Sequence, residues 1–217
     1  MTDEARVYGG KSGEERRDER RSRLIEAGLE LLGTQGLAAT TLRKVCHTAD
    51  LPSRYFYENF ADVDALNVAV YDAVIEELIG RGLTAIAQAP ADLPSKVRAA
   101  LGCAIDFAAE DPRRGRVTLS LVMASPPLAQ RHSETTERIA TMIADLGRDY
   151  VLPATSRAEV LTISRFFVGG FTQLLTVWID DPDAAARGEL LDNCTQLFMA
   201  ITANILQTNT FADLNGE

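Results

Sequence analysis

Apolar residues recur at three- and four-residue intervals along almost the whole chain, and no stretch alternates apolar with polar convincingly. That period puts the apolar side chains on one face of successive helices and leaves strands no core-facing edge. The pattern predicts an all-α protein. Leu24, Ala27, Gly28, Leu31 and Leu32 mark a first helix that Gly36 stops. Thr41 can cap a short helix to about Thr48, and a tight Ala49-Asp50-Leu51 connection leads into a second short helix from Pro52 to about Asn59. Asp62 caps a long helix toward Ala87. Further helices are expected from Asp92–Ser95 to Glu110, from Pro112 to about Ala124, and from Ser125-Pro126 to about Tyr150. The last two run from Ser156, which has capping-box spacing to Glu159, to Asp180–Pro182, and from an Asp183 cap to about Leu206. Three short or medium helices thus precede six mostly long ones. Residues 1–13, with Gly9, Gly10 and Gly13, read as an arm.

Charge is unevenly shared. The net charge of -9 lies entirely beyond residue 60. Arg16, Arg17, Arg20, Arg21 and Arg23 crowd the first helix against only Asp18 and Glu19. Such a basic end on an acidic body either engages phosphates or is a solvated Arg/Glu face. Cys46, Cys103 and Cys194 are widely spaced and odd in number, which fits neither a disulfide framework nor a zinc knuckle and points to a reducing, cytoplasmic setting. No uninterrupted apolar run reaches the ~18 residues of a membrane span, and the N-terminus has no apolar leader, so neither a membrane nor secretion is expected. His47 and His132 are the only histidines and stand outside metal-ligand spacing; no phosphate loop or nucleophile elbow appears. No catalytic residue, metal or cofactor is expected. Cys46 takes a small-residue core position.

The two short helices between 41 and 60 are joined by three or four residues, the connection of a helix-turn-helix unit, whose second helix enters the DNA major groove. Leu42, Val45, Cys46 and Ala49 can pack inward from the first, and Leu51, Phe56 and Phe60 can anchor the second. Ser53, Arg54, Tyr55, Tyr57, Glu58 and Asn59 are then left on the accessible sides, as residue types that suit phosphate and base-edge contacts.

The segment from Thr40-Thr41 through Arg43-Lys44-Val45-Cys46, Ala49-Asp50-Leu51, Tyr55-Phe56-Tyr57-Glu58-Asn59-Phe60 and Asp62 to Leu66 resembles the TetR (tetracycline repressor-like) family, as does Leu24 to Gly36 before it. The match covers about residues 20–70. The resemblance implies a helix-turn-helix domain over 14–70, with its motif at about 41–60, and a helical ligand-binding and dimerisation domain over 71–217. It implies a transcriptional regulator, a repressor that a small molecule releases from a pseudo-palindromic operator in double-stranded DNA. Thr41 would cap and touch phosphate, and Arg43 would reach a base edge. Ser53, Arg54 and Tyr55 would front the recognition helix, Tyr57 would contact the backbone, and Asn59 would follow on the DNA side. Two positions depart from the pattern: Asp50 occupies the usual turn glycine and Val63 the usual lysine. The alternatives are a regulator answering to a protein partner, or a helical enzyme or adaptor that no longer binds DNA.

The eighth helix is apolar nearly all round, through Phe166, Phe167, Phe171, Leu174, Val177 and Trp178. It must be buried on more than one side, either as a core helix or, as the resemblance implies, in a homodimer through the last two helices. The resemblance also implies an effector pocket among helices four to eight. Asp106, Arg165, Thr172 and Gln173 are its candidate polar lining, and Phe107, Met123, Met142 and Trp178 its candidate apolar walls. Asp106 and Arg165 can alternatively pair with each other.

Overall fold

The computed structural model describes residues 12–181 and 186–206. Among them are nine α-helices. A head is made by α1 (Gly13–Gln35), α2 (Leu42–Thr48), α3 (Ser53–Tyr57) and the start of α4 (Val63–Gln88). The body adds α5 (Leu93–Glu110), α6 (Pro112–Gly115), α7 (Pro126–Leu146), α8 (Arg157–Asp180) and α9 (Arg187–Thr202).

Local chemistry sets most boundaries. Ser12 and Glu15 form a reciprocal capping box, so α1 begins inside the stretch expected to be an arm. Gly36, at φ 80°, ends it. Thr41 and Asp62 cap α2 and α4 through their side chains, as expected. Ser156 accepts from the Glu159 amide. Ser125 makes no such bond, and α7 starts on its two prolines instead. The Asp183 cap lies outside the described residues; α9 follows Ala186, which offers no side-chain cap, and ends at Thr202 rather than near Leu206.

The helix expected from Pro112 to Ala124 is broken. After one α-turn, Arg116–Ser120 forms a π-turn, closed by the Leu121 amide donating to the Arg116 carbonyl at 2.9 Å, and Val122–Ala124 a 3₁₀ turn. The segment runs close to α8 here: a Cβ at Gly115 would lie 2.7 Å from Ile179 Cδ1. Similarly, α7 ends at Leu146, and Arg148–Tyr150 is a separate 3₁₀ turn. The Leu152 amide then donates to the Ile205 carbonyl at 2.7 Å, tying the α7–α8 connection to the chain beyond α9.

Head and body share one core. Leu24, Leu32, Val45, Phe56 and Leu66 are completely buried in the head, and the same cluster continues through Val70, Tyr71 and Val74 of α4 into Phe107, Val117 and Leu128 of the body. Burying Phe56 alone contributes about 1.5–3 kcal/mol. A second cluster joins α5, α8 and α9 through Ile105, Phe167, Leu175, Leu191 and Cys194. Cys46 and Cys194 are buried, and burial pushes all three thiols up, the behaviour of packing residues rather than nucleophiles.

Helix α8 is long and apolar enough, by length and composition, to cross a membrane. Here its apolar character has other uses. Phe167, Val168 and Leu175 are buried in the body, and Arg165 pairs with Glu137 of α7 at 2.6 Å. Its remaining apolar face is open: Phe166 is 66% exposed, Val177 52% and Leu174 42%, and added Cβ atoms at Gly169 and Gly170 would meet nothing.

Candidate functional site

The α2–α3 unit has the geometry its sequence requires. Its turn places Asp50 at φ 49°, the left-handed conformation that glycine takes most cheaply and Asp tolerates. The Leu51 amide closes the turn on the Cys46 carbonyl at 2.9 Å. Val45 and Phe56 point fully inward. Val63, expected to be missed as a phosphate-binding lysine, packs partly buried against the shared core.

The outward residues divide into two groups. Thr41, Arg43, Ser53 and Tyr57 are exposed, and neither the Arg43 guanidinium nor the Tyr57 hydroxyl has a partner among the described residues. Tyr57 is 64% exposed, its ring standing edge-on against Phe56 at 5.7 Å. Thr41 accepts from the Lys44 amide at 3.4 Å, which leaves its hydroxyl hydrogen available. Arg54, Tyr55 and Asn59 are held internally. Arg54 donates to the Tyr55 hydroxyl at 2.8 Å and lies over that ring. The Asn59 amide donates to the Tyr55 carbonyl at 2.7 Å and is half-buried. A five-residue helix leaves its last carbonyls unpaired, and Asn59 satisfies one of them.

Four arginines of α1 are engaged by neighbouring groups of the head. Arg17 donates to the Glu58 carbonyl at 2.8 Å, and Arg23 to the Ala49 and Asp50 carbonyls at 2.6 and 3.1 Å. Arg20 stacks over Tyr55 at 4.4 Å, with Glu58 3.7 Å away, and Arg21 stacks over Phe60. These cations cap the C-terminal ends of α2 and α3, where the helix dipoles favour positive charge. These contacts tie all four to the head at its surface, Arg17 and Arg23 remaining exposed.

A cavity of about 210 Å³ lies between α4, α5, α7 and α8. Phe107, Met142 and Thr172 line it, as expected. Five expected lining residues do not. Asp106 is one residue from Phe107, hence about 100° around α5, and pairs instead with Arg187 of α9. Arg165 is exposed on Glu137, so the two do not pair with each other. Gln173 is exposed, Met123 is 79% exposed, and Trp178 packs on the α5–α8–α9 cluster. Residues not anticipated supply the cavity's polarity. Tyr71 Oη and His132 Nδ1 lie 3.2 Å apart, beside Thr135. Burial pushes the Tyr71 hydroxyl up and holds the His132 imidazole down, so both are neutral at pH 7. A readable signal existed: Tyr71, Ile75, Leu78 and Gly82 on α4, with His132, Thr135, Ile139 and Met142 on α7, share helical spacing.

One segment touches both regions. Thr118 and Leu119 of the π-turn line the cavity, while Arg116 donates to the Gly33 carbonyl of α1 at 2.9 Å. Arg113 spans Asp111, Glu30 and Glu26 at 2.8, 2.8 and 3.2 Å.

No family model matches the sequence, and no curated protein matches it. Solved structures match along nearly the whole chain. A putative TetR-family regulator from Syntrophomonas wolfei superposes with a TM-score of 0.72 at 15% identity, over 88% of this chain and 99% of that one. The fold is that of TetR-type regulators. The fatty acid degradation regulator FadR from Bacillus halodurans gives 0.70 at 14% identity, over 83% and 94%. FadR from Bacillus subtilis, solved with stearoyl-CoA, gives 0.68 at 14%, over 82% and 96%. These relatives of the TetR-type fold are described as transcription regulators, not enzymes.

Proposed function

We propose that this chain is a cytoplasmic, DNA-binding transcriptional regulator, a homodimeric repressor whose grip on a pseudo-palindromic operator is released by a small molecule in the α4–α8 cavity. The observation that carries the reading is the helix-turn-helix with Arg43, Ser53 and the Tyr57 hydroxyl unengaged on its outer side, fused through α1, α4 and the π-turn to an apolar cavity. Thr41 and Tyr57 suit phosphates, and Arg43 suits a base edge. Arg54, Tyr55 and Asn59 support the recognition helix from within and reach DNA only if their internal bonds exchange.

Dimerisation is supported by the open face of α8. Phe166, Gly170, Leu174 and Val177 fall on one stripe, and Leu197 of α9 is also exposed, at 48%. A stripe of this kind is stable in water when it packs on its own copy, giving a symmetric interface that matches a symmetric operator. The test is a gel shift with DNA from upstream of the protein's own gene. A discrete complex displaced by specific, not random, competitor DNA is the expected result; binding indifferent to sequence would defeat the reading.

A further inference from the structure

If the cavity is the effector site of such a regulator, its lining specifies the class of molecule it takes. Helices α4 and α7 run in the same direction there, as the Tyr71–His132 and Glu76–Arg138 contacts require. The lining follows α4 from Tyr71 to Ile86 and α7 from His132 to Leu146. Fifteen residue steps of helix make a lumen roughly 22 Å long. A cavity drawn out over that length is elongated rather than round.

Polarity is confined mostly to one end. Tyr71 and Thr135 are buried, with 1% and 5% exposure, and His132 sits beside them. The other end is apolar and open, with Leu83 40% and Leu146 46% exposed. Among the described residues, no Asp, Glu, Lys or Arg lines the cavity. With His132 Nδ1 accepting from Tyr71, the imidazole Nε2 carries a hydrogen to donate, and the Tyr71 oxygen keeps a lone pair to accept. Arg131 and Arg138, the cations that act on Tyr71, are already paired with Asp72 and Glu76, so a carboxylate or phosphate at that end would be stripped of water with no unpaired cation to face it.

We propose that the cavity takes an uncharged, unbranched hydrocarbon chain of roughly ten to sixteen carbons, at ~1.3 Å per methylene, with one terminal hydroxyl or carbonyl oxygen. It enters polar end first. The oxygen meets Tyr71 and His132, and the tail fills the lumen toward Leu83 and Leu146.

Calorimetric titration of the full chain without DNA tests this, using 1-decanol, decanoate and decanoyl-CoA at about pH 8. 1-Decanol is expected to bind at least about tenfold more tightly than either charged analogue. Tyr71→Phe should weaken 1-decanol about three- to tenfold. Gly82→Phe fills the lumen from a position where an added Cβ meets nothing, so it should keep the fold and abolish binding. Decanoate or decanoyl-CoA binding as tightly as 1-decanol would overturn the proposal, as would no binding of 1-decanol or full binding to Gly82→Phe. Operator binding by gel shift is read separately, so a protein that binds DNA but not 1-decanol refutes this inference alone.

Discussion

Gly33 of α1 and Arg113 of α6 meet so closely that a methyl group at position 33 would sit 2.4 Å from Arg113 Cβ and 2.8 Å from its Cα. The contact is backbone against side-chain base, so no rotamer change relieves it. Gly33→Ala is therefore expected to force α1 and α6 apart and destabilise the protein by about 1–3 kcal/mol. It should also alter operator affinity, because the same junction carries the Arg116–Gly33 bond between body and head. Urea unfolding and a gel shift check the two halves; an unchanged midpoint would mean the junction yields freely.

Arg43→Ala and Tyr57→Phe should weaken operator binding without unfolding the head, since neither the Arg43 guanidinium nor the Tyr57 hydroxyl has a partner among the described residues, and Phe keeps the ring that packs on Phe56. Loss of Arg43 should relax base preference by about 1–3 kcal/mol at one position. Loss of the Tyr57 hydroxyl should weaken all sequences alike. Affinities across a panel of operator variants, with circular dichroism as the folding control, distinguish the two effects.

Arg17→Gln and Arg23→Gln should act through stability. Each removes a charge-assisted bond to a helix-end carbonyl, so the pair should cost about 1–3 kcal/mol and lower Tm. The slope of log affinity against log salt should stay within about one unit of the parent, one unit being the loss of a single phosphate contact. A parent-like Tm with a flattened slope would return these arginines to the DNA.

Phe166→Glu with Leu174→Glu should give a folded monomer. Both side chains lie on the open stripe of α8, so charge there spares the protomer core. Sedimentation at micromolar concentration reads the result. A double variant that stays dimeric would place the interface elsewhere.

Acid should weaken the protein partly through His132. Burial holds its folded pKa below the ordinary 6.5. The unfolded chain takes up that proton near 6.5 while the folded protein still refuses it. The contribution is thus whole above 6.5 and is lost as pH falls from there through the lowered folded value. His132→Gln should lose less stability than the parent between about pH 7.5 and pH 5.5. Matched urea midpoints at the two pH values provide the comparison.

The head was nearly all legible in the sequence because its determinants are local. Thr41 and Asp62 cap within one turn, Asp50 sits where the chain must turn left-handed, and Phe56 and Phe60 are spaced to face one way. The body was legible as helices but not as a lining. Which side of α5 faces the cavity depends on α4 and α9, so Asp106 and Phe107, adjacent in sequence, part company. The break after Gly115 and its close approach to Ile179, more than sixty residues away, are announced by nothing near Gly115. The partners of the α1 arginines were hidden for the same reason. Their charge was visible, but Arg17 and Arg23 reach the carbonyls of Glu58, Ala49 and Asp50, and carbonyls are carried by every residue.

Those carbonyl contacts also determine how a signal can travel. With Arg17 and Arg23 tying the ends of α2 and α3 to α1, the reading head is already ordered before it meets DNA, and docking costs it little conformational entropy. A head so braced cannot be switched by loosening its recognition helix. In the proposed dimer, what remains free is its distance from its twin, and two heads would have to stand about 34 Å apart to enter successive major grooves on one side of a duplex. On the proposed reading, binding to DNA becomes a measurement of length, and a molecule in the body would act by changing the span of the calliper.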